Sequence, residues 1–127
     1  MRNLGWTIGV AALAWVLGAT AAHADGDAAK GAKVFTKCKT CHEIATAKNK
    51  VGPTLQGVIG RKAGTVEGFK YSEAMTGSGV SWDAVTIGEY VAKPKEFIAG
   101  NKMAFVGLKK EDEVEDLVAY IQANCCS

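Results

Sequence analysis

The sequence predicts an all-α domain threaded by long loops, and three observations carry that expectation. No segment alternates apolar and polar residues in the way a half-buried strand requires. Several segments repeat apolar residues at helical spacing, most clearly Glu111 to Asn124, where Val114, Leu117, Val118 and Ile121 make a stripe. The chain between them is rich in Gly, Thr and Lys and holds neither period.

The elements follow in chain order. Asp27 is placed to cap a helix running to about Lys37, with Ala28, Ala32 and Phe35 on one face. Gly31 interrupts this helix, and a helix-interior glycine costs about 1 kcal/mol against alanine, which points to a close packing partner. From Ala45 to Thr65, with Pro53 inside, the chain reads as loop. A short helix is expected at Ser72 to Thr76, ended by Gly77-Ser78-Gly79. Asp83 to Lys93 reads as helix, with Ile87, Tyr90 and Val91 on one side. Pro94 ends that helix and can open the next turn, Lys95 to Ala99, which Gly100 closes. In the last helix Glu111, Asp112 and Glu113 lie where the helix dipole favours negative charge. About five short helices result.

Residues 1–24 are expected to be a cleaved secretory signal peptide. Arg2 supplies the positive start, Leu4 to Gly18 is mostly apolar, and Ala22-His23-Ala24 is a small-residue cleavage site. An uncleaved anchor is the competing reading, because Leu4 to Ala22 approaches the roughly 20 residues of a spanning helix. The Ala-His-Ala ending and the short Asp25-Gly26 spacer favour cleavage after Ala24. Residues 25–127 then form one small exported domain, periplasmic and soluble, with a short C-terminal tail from about residue 124. His42 is its only histidine and Trp82 its only tryptophan.

Chemistry concentrates in Cys38-Lys39-Thr40-Cys41-His42. A Cys-x-x-Cys-His run in an exported protein reads as a covalent haem attachment site. Residues three and four apart share a helical face. Both thiols can therefore reach the haem vinyl edges while the next imidazole meets the iron. A redox dithiol of the thioredoxin kind would follow a buried strand, whereas the preceding run here is helical. A structural zinc site needs a second ligand pair, and adjacent Cys125 and Cys126 make a poor one.

Iron with one protein ligand can bind gases or peroxide, and iron with two mainly moves electrons. With no second histidine in the mature chain, the sixth ligand falls to Met75 or Met103. A methionine is more often core filler than ligand. Met103 lies in the irregular segment Gly100-Asn101-Lys102-Met103-Ala104-Phe105, which can cross a haem face, whereas Met75 lies in a short helix and more simply fills space.

These residues together resemble a small soluble class I cytochrome c, of the bacterial type closest to the mitochondrial protein. The resemblance runs from about Lys30 to Gln122. It rests on Lys30-Gly31, Phe35, the Cys38–His42 run, Val51-Gly52-Pro53-Thr54-Leu55-Gln56-Gly57, Gly60-Arg61-Lys62-Ala63-Gly64 and Gly68-Phe69-Lys70-Tyr71. It continues through Trp82, Tyr90, Pro94-Lys95, Gly100 to Phe105, and Asp116 to Ile121. The resemblance implies the cytochrome c fold, in which the N- and C-terminal helices pack together around one covalently attached haem c. It implies His42 and Met103 as axial ligands, with Gly31 and Phe35 packed on Leu117 and Tyr120. By the same likeness the Pro53 carbonyl accepts from His42. Arg61, Tyr71 and Trp82 resemble the groups that hold the propionates, Tyr90 and Asn101 stand near the methionine sulfur, and Leu55 and Phe105 wall the haem. The chain departs from the pattern in three places. Met75 stands where close relatives often carry asparagine, Ala99 replaces a proline, and Cys125 and Cys126 have no counterpart. The last two read as a disordered tail, with a disulfide-linked dimer or lipid attachment as alternatives.

Every lysine lies between Lys30 and Lys110, while five acidic residues crowd Glu111 to Asp116. Lys37, Lys39, Lys50, Lys95, Lys102 and Lys109 can ring an exposed haem edge, against the plain alternative of a solvated surface. A near-neutral total and no aromatic interleaving argue against nucleic acid. The resemblance implies a monomeric one-electron carrier, not an enzyme, whose lysines dock acidic patches on redox partners. It implies a membrane quinol–cytochrome c oxidoreductase as donor, and a terminal oxidase or photosynthetic reaction centre as acceptor, in a respiratory or photosynthetic chain. The rival readings are a haem enzyme or gas sensor with an open sixth site, and a dedicated electron-acceptor subunit of a dehydrogenase.

Overall fold

In the computed structural model residues 26–126 are described, so the signal-peptide expectation and Ser127 lie outside the described residues. Asp27 accepts hydrogen bonds from the Ala29 and Lys30 amides and starts α1, Ala28–Phe35. Ser72 caps α2, Glu73–Thr76, through the Met75 amide. Asp83 and Thr86 form a reciprocal capping box at the start of α3, Ala84–Ala92. Pro94 occupies the first position of α4, Pro94–Phe97, where its missing N–H costs nothing. The last helix, α5, spans Glu111–Asn124 with Glu111, Asp112 and Glu113 in its first turn. Among the described residues the only β-type pairing is an isolated antiparallel bridge between Lys62 and Ser81. The fold is all-α, as expected.

The helices pack as α1 on α5, with α5 also against α3, and α3 against α4. A Cβ built on Gly31 would overlap the Asp116 carbonyl and come within 2.7 Å of the Tyr120 Cβ. Gly31 is therefore a place where the two helix backbones meet directly. Phe35 and Tyr120 stack beside that contact with ring centroids 4.9 Å apart, and the Asp27 amide donates to Asp116 at 2.7 Å. Leu117 is fully buried, and Val118 and Ile121 continue its face. The expected face of α1 is rotated in the structure. Gly31, Val34 and Phe35 are buried, and Ala32 is exposed. The close approach at Gly31 decides which side faces inward, and it outweighs the apolar spacing of two alanines.

The C-terminal tail is also corrected. Cys125 is 3% exposed, belongs to the apolar core and accepts a hydrogen bond from the Gly57 amide at 2.8 Å. It is bonded to Cys126 within the chain, in place of the expected loose tail.

Candidate functional site

Helix α1 stops at Phe35 because Thr36 turns its hydroxyl back to the Lys33 carbonyl at 2.6 Å and the chain tightens into successive turns. The Phe35 carbonyl accepts from the Cys38 and Lys39 amides, and the Cys38 carbonyl from Cys41 and His42, all at 2.8–3.0 Å. This winding brings Cys38, Cys41 and His42 to one wall of a largely apolar cavity. Both thiols are free. Burial, reinforced by Cys41, pushes the Cys38 thiol up to about 11 against the opposing charge of Lys37. Such a thiol is protonated at neutral pH, unlike the low-pKa attacking thiol of a dithiol oxidoreductase.

The His42 Nδ1 lies 2.7 Å from the Pro53 carbonyl oxygen. A carbonyl only accepts, so Nδ1 carries the proton and donates it, leaving the Nε2 lone pair free as a ligand. Burial lowers the His42 pKa more than the Pro53 bond raises it, which keeps the ring neutral at pH 7. Gly52 presses on the same ring: a Cβ there would overlap Cε1 and lie 2.7 Å from both nitrogens. The Pro53 segment is itself braced. Gly52 donates to the Cys41 carbonyl at 2.8 Å and Leu55 to that of Glu43 at 2.7 Å. Asn49 accepts from the Thr54 amide at 3.0 Å and donates to the Glu67 carbonyl at 3.1 Å, tying this loop to the next.

Other expected residues meet at the same cavity. Arg61, Tyr71, Trp82 and Tyr90 all line it. Arg61 donates to the Gln56 and Thr54 carbonyls at 3.0 and 2.9 Å. The Tyr71 hydroxyl accepts from the Val66 amide at 3.0 Å, which leaves its O–H group available as a donor. Trp82 and Tyr90 pack with centroids 5.1 Å apart, and burial alone pushes the Tyr90 hydroxyl up to about 12. Leu55 and Phe105 contribute apolar wall, as does Phe69, which had no assigned role.

Met103 and Met75 both line the cavity. Asn101, expected near the methionine sulfur, is not among the lining residues. It is 5% exposed and stands one layer back, with its Nδ2 donating to the Pro94 and Ile98 carbonyls at 2.7 and 2.8 Å. Its Oδ1 accepts from the Met103 amide at 2.9 Å, so it fixes the loop that presents the thioether. Sequence reasoning also gave Gly52 no role. The signal available was a glycine at a place where no turn requires one.

The lysines divide. Lys37 and Lys102 reach the cavity, and Lys39 and Lys50 lie around a shallower hollow behind the attachment turn. Lys50 is tethered to the Lys39 carbonyl at 2.8 Å and to Glu43 at 3.6 Å. Lys102 hydrogen-bonds the Lys70 carbonyl and lies 5.4 Å from the Phe69 ring centroid. Lys95 and Lys109 are exposed and line neither hollow.

The residues present fit one covalently held haem. Two free thiols and a neutral imidazole with an open Nε2 share a wall, thioethers stand on the same apolar cavity, and Arg61 and Tyr71 offer polar groups suited to carboxylates. An all-α domain built around such a cavity defines a c-type haem protein. The comparisons agree. Residues 28–124 match the family model described as cytochrome c. The chain is 50% identical over 110 residues to the cytochrome c2 of Blastochloris viridis, covering 85% of this chain and 87% of that protein. It is 48% identical over 97 residues to cytochrome c-550 of Nitrobacter winogradskyi, covering 76% and 89% respectively. Its fold matches the structure of cytochrome cH from Methylobacterium extorquens with a TM-score of 0.73 and 43% identity, over 78% of this chain and 100% of that one. The chain belongs to the cytochrome c family, and Cys38 and Cys41 stand ready for the covalent haem c which that family carries.

Proposed function

We propose that this protein is a periplasmic one-electron carrier, exported with loss of residues 1–24, whose haem is ligated by His42 and Met103. The observation that carries the reading is the convergence of Cys38, Cys41, His42 and Met103 on one apolar cavity. When bound, the haem supplies reversible ferrous–ferric chemistry. The chain's residues hold and tune it. Cys38 and Cys41 anchor it, and Pro53 fixes the His42 tautomer through the hydrogen bond at 2.7 Å. Met103 offers a thioether, which favours the ferrous state and raises the potential. Asn101 holds the Met103 loop in register through the Met103 amide. Arg61, Tyr71 and Trp82 would hold the propionates, because a buried carboxylate without polar partners costs several kcal/mol. Leu55, Phe69 and Phe105 keep water from the cavity, which limits reorganisation when charge changes.

Exposed Lys37 and Lys102 at the cavity, with Lys39 and Lys95 nearby in the chain, favour encounter with acidic patches on partners. A quinol–cytochrome c oxidoreductase is the proposed donor, and a terminal oxidase or photosynthetic reaction centre the proposed acceptor. No helix among the described residues is long and apolar enough to cross a membrane.

An optical spectrum with redox titration and ligand challenge of the mature protein tests the reading. It should show covalent haem, a single one-electron wave and slow, weak binding of carbon monoxide to the reduced protein at neutral pH. Fast, tight binding would assign the protein instead to the open-site class of haem enzymes and gas sensors.

A further inference from the structure

The haem reading leaves one sequence feature unused, the adjacent pair Cys125 and Cys126. They form a disulfide with each other. The pair follows the last residue of α5. The Cys125 amide donates to the Ile121 carbonyl, and the Cys125 carbonyl accepts from Gly57, each at 2.8 Å. Exposure is asymmetric: Cys125 is 3% exposed within the core, and Cys126 is exposed.

A staple does not account for this bond. The stabilisation a disulfide draws from constraining the unfolded chain grows with the length of loop it closes, and neighbours close the shortest loop possible. The α5 hydrogen bond and the Gly57 contact already hold Cys125 through its backbone, whatever the state of its sulfur. What the bond does provide is a solvent-side sulfur joined to a core-side one, and exposed disulfides are the labile ones.

We propose that Cys125–Cys126 is a thiol–disulfide exchange site of the folded protein, open from the Cys126 side to a dithiol reductant. A thiolate of the dithiol attacks the Cys126 sulfur, forming a mixed disulfide and breaking the Cys125–Cys126 bond. The Cys125 sulfur leaves as thiolate and takes a proton. The second thiol of the reductant then attacks its partner sulfur in the mixed disulfide and releases Cys126, which is protonated in turn. The protein disulfide gains two electrons and two protons, and the dithiol becomes its own disulfide. The inward face presented by Cys125 and the outward face of Cys126 make the two product thiols unequal: Cys126 is the reactive one.

The test uses mature holoprotein in native buffer, dithiothreitol as the probe dithiol, iodoacetamide as the trap and peptide mass mapping as the readout. Without dithiol neither cysteine should be alkylated. With it both should be, at dithiol concentrations that leave the far-UV circular dichroism unchanged, and Cys126 should react faster by about an order of magnitude. Alkylation of both without dithiol, opening only in denaturant, or a bond between two chains would each overturn the proposal. In Cys126→Ser the dithiol-dependent labelling of the Cys125 peptide should disappear. Its persistence would show Cys125 paired elsewhere and would likewise overturn it. Mapping reads these two positions alone, so the result does not depend on whether Cys38 and Cys41 carry haem.

Discussion

The His42 ring is held from two sides, and each contact sets a different property. The Pro53 carbonyl at 2.7 Å selects the tautomer and adds basicity, while Gly52 sets where the ring can stand. An alanine at Gly52 would push on the imidazole directly. Gly52→Ala should therefore destabilise the protein by about 1–3 kcal/mol, the usual cost of overpacking, and shift the optical bands that report axial ligation. A denaturant titration and a spectrum check both; an unchanged spectrum would mean that the ring does not answer to Gly52. Met103 and Met75 reach the same cavity, so geometry alone ranks neither thioether first. Met103→Ala should keep the haem attached, lower the potential by on the order of 0.1 V within the roughly 0.8 V that axial ligands span, and admit carbon monoxide. Met75→Leu should keep native ligation, and the reverse pattern in the two variants would reassign the ligand to Met75.

At the scale of elements, glycine and asparagine do work that apolar stripes do not reveal. The interruption of α1 by Gly31 was legible as a packing signal, and the structure places the α5 backbone there. Gly31→Val should cost about 1–3 kcal/mol, seen as a lower thermal midpoint with the haem spectrum retained, and no loss would remove the helix contact as its cause. The buried side of α1 was not legible, because Ala28 and Ala32 carry little apolar area and burial followed the close approach at Gly31 instead. Four helix starts were readable, since Asp27, Ser72 and Asp83 accept from the nearest amides and Pro94 needs no donor in a first turn. The role of Asn101 was not, because its three hydrogen bonds reach carbonyls and an amide whose positions exist only once α4 has turned. Asn101→Ala leaves the Met103 amide without its partner, while the Pro94 and Ile98 carbonyls keep only their backbone donors, the Ile98 and Asn101 amides. It should cost about 1–3 kcal/mol and lower the potential in the direction of Met103→Ala, as potentiometry would show. Stability lost with an unmoved potential would confine Asn101 to a structural role. Cys125 escaped the reading for a similar reason: its place in the core depends on the Gly57 turn folding over the end of α5.

Across the whole molecule, two exposed lysines stand at the cavity and an acidic run opens the last helix. Lys37 and Lys102 reach the cavity, whereas Glu111, Asp112 and Glu113 begin α5, whose opposite end meets the Gly57 turn. Exposed Val51 and Val106, at 79% and 86%, offer apolar contact on the segments that carry Pro53 and Met103. This arrangement suits brief docking, in which long-range attraction speeds arrival and modest contact allows release. The charge test must avoid lysines with structural duties. Lys102 bonds the Lys70 carbonyl and covers Phe69, and Lys50 is paired with Glu43, so replacing either disturbs loops as well as charge. Lys37, Lys39 and Lys95 are the cleaner choice. Reversing all three to glutamate should slow electron exchange with an acidic redox partner about tenfold or more at low ionic strength, through the association rate. The thermal midpoint should barely move, because these side chains are exposed. Stopped-flow kinetics over a salt series gives the decisive reading: screening lengths fall from about 10 Å at 0.1 M to about 3 Å at 1 M, and the deficit should close over that range. A deficit that persists at high salt would place the damage at the haem cavity and leave the lysines as ordinary solvated surface.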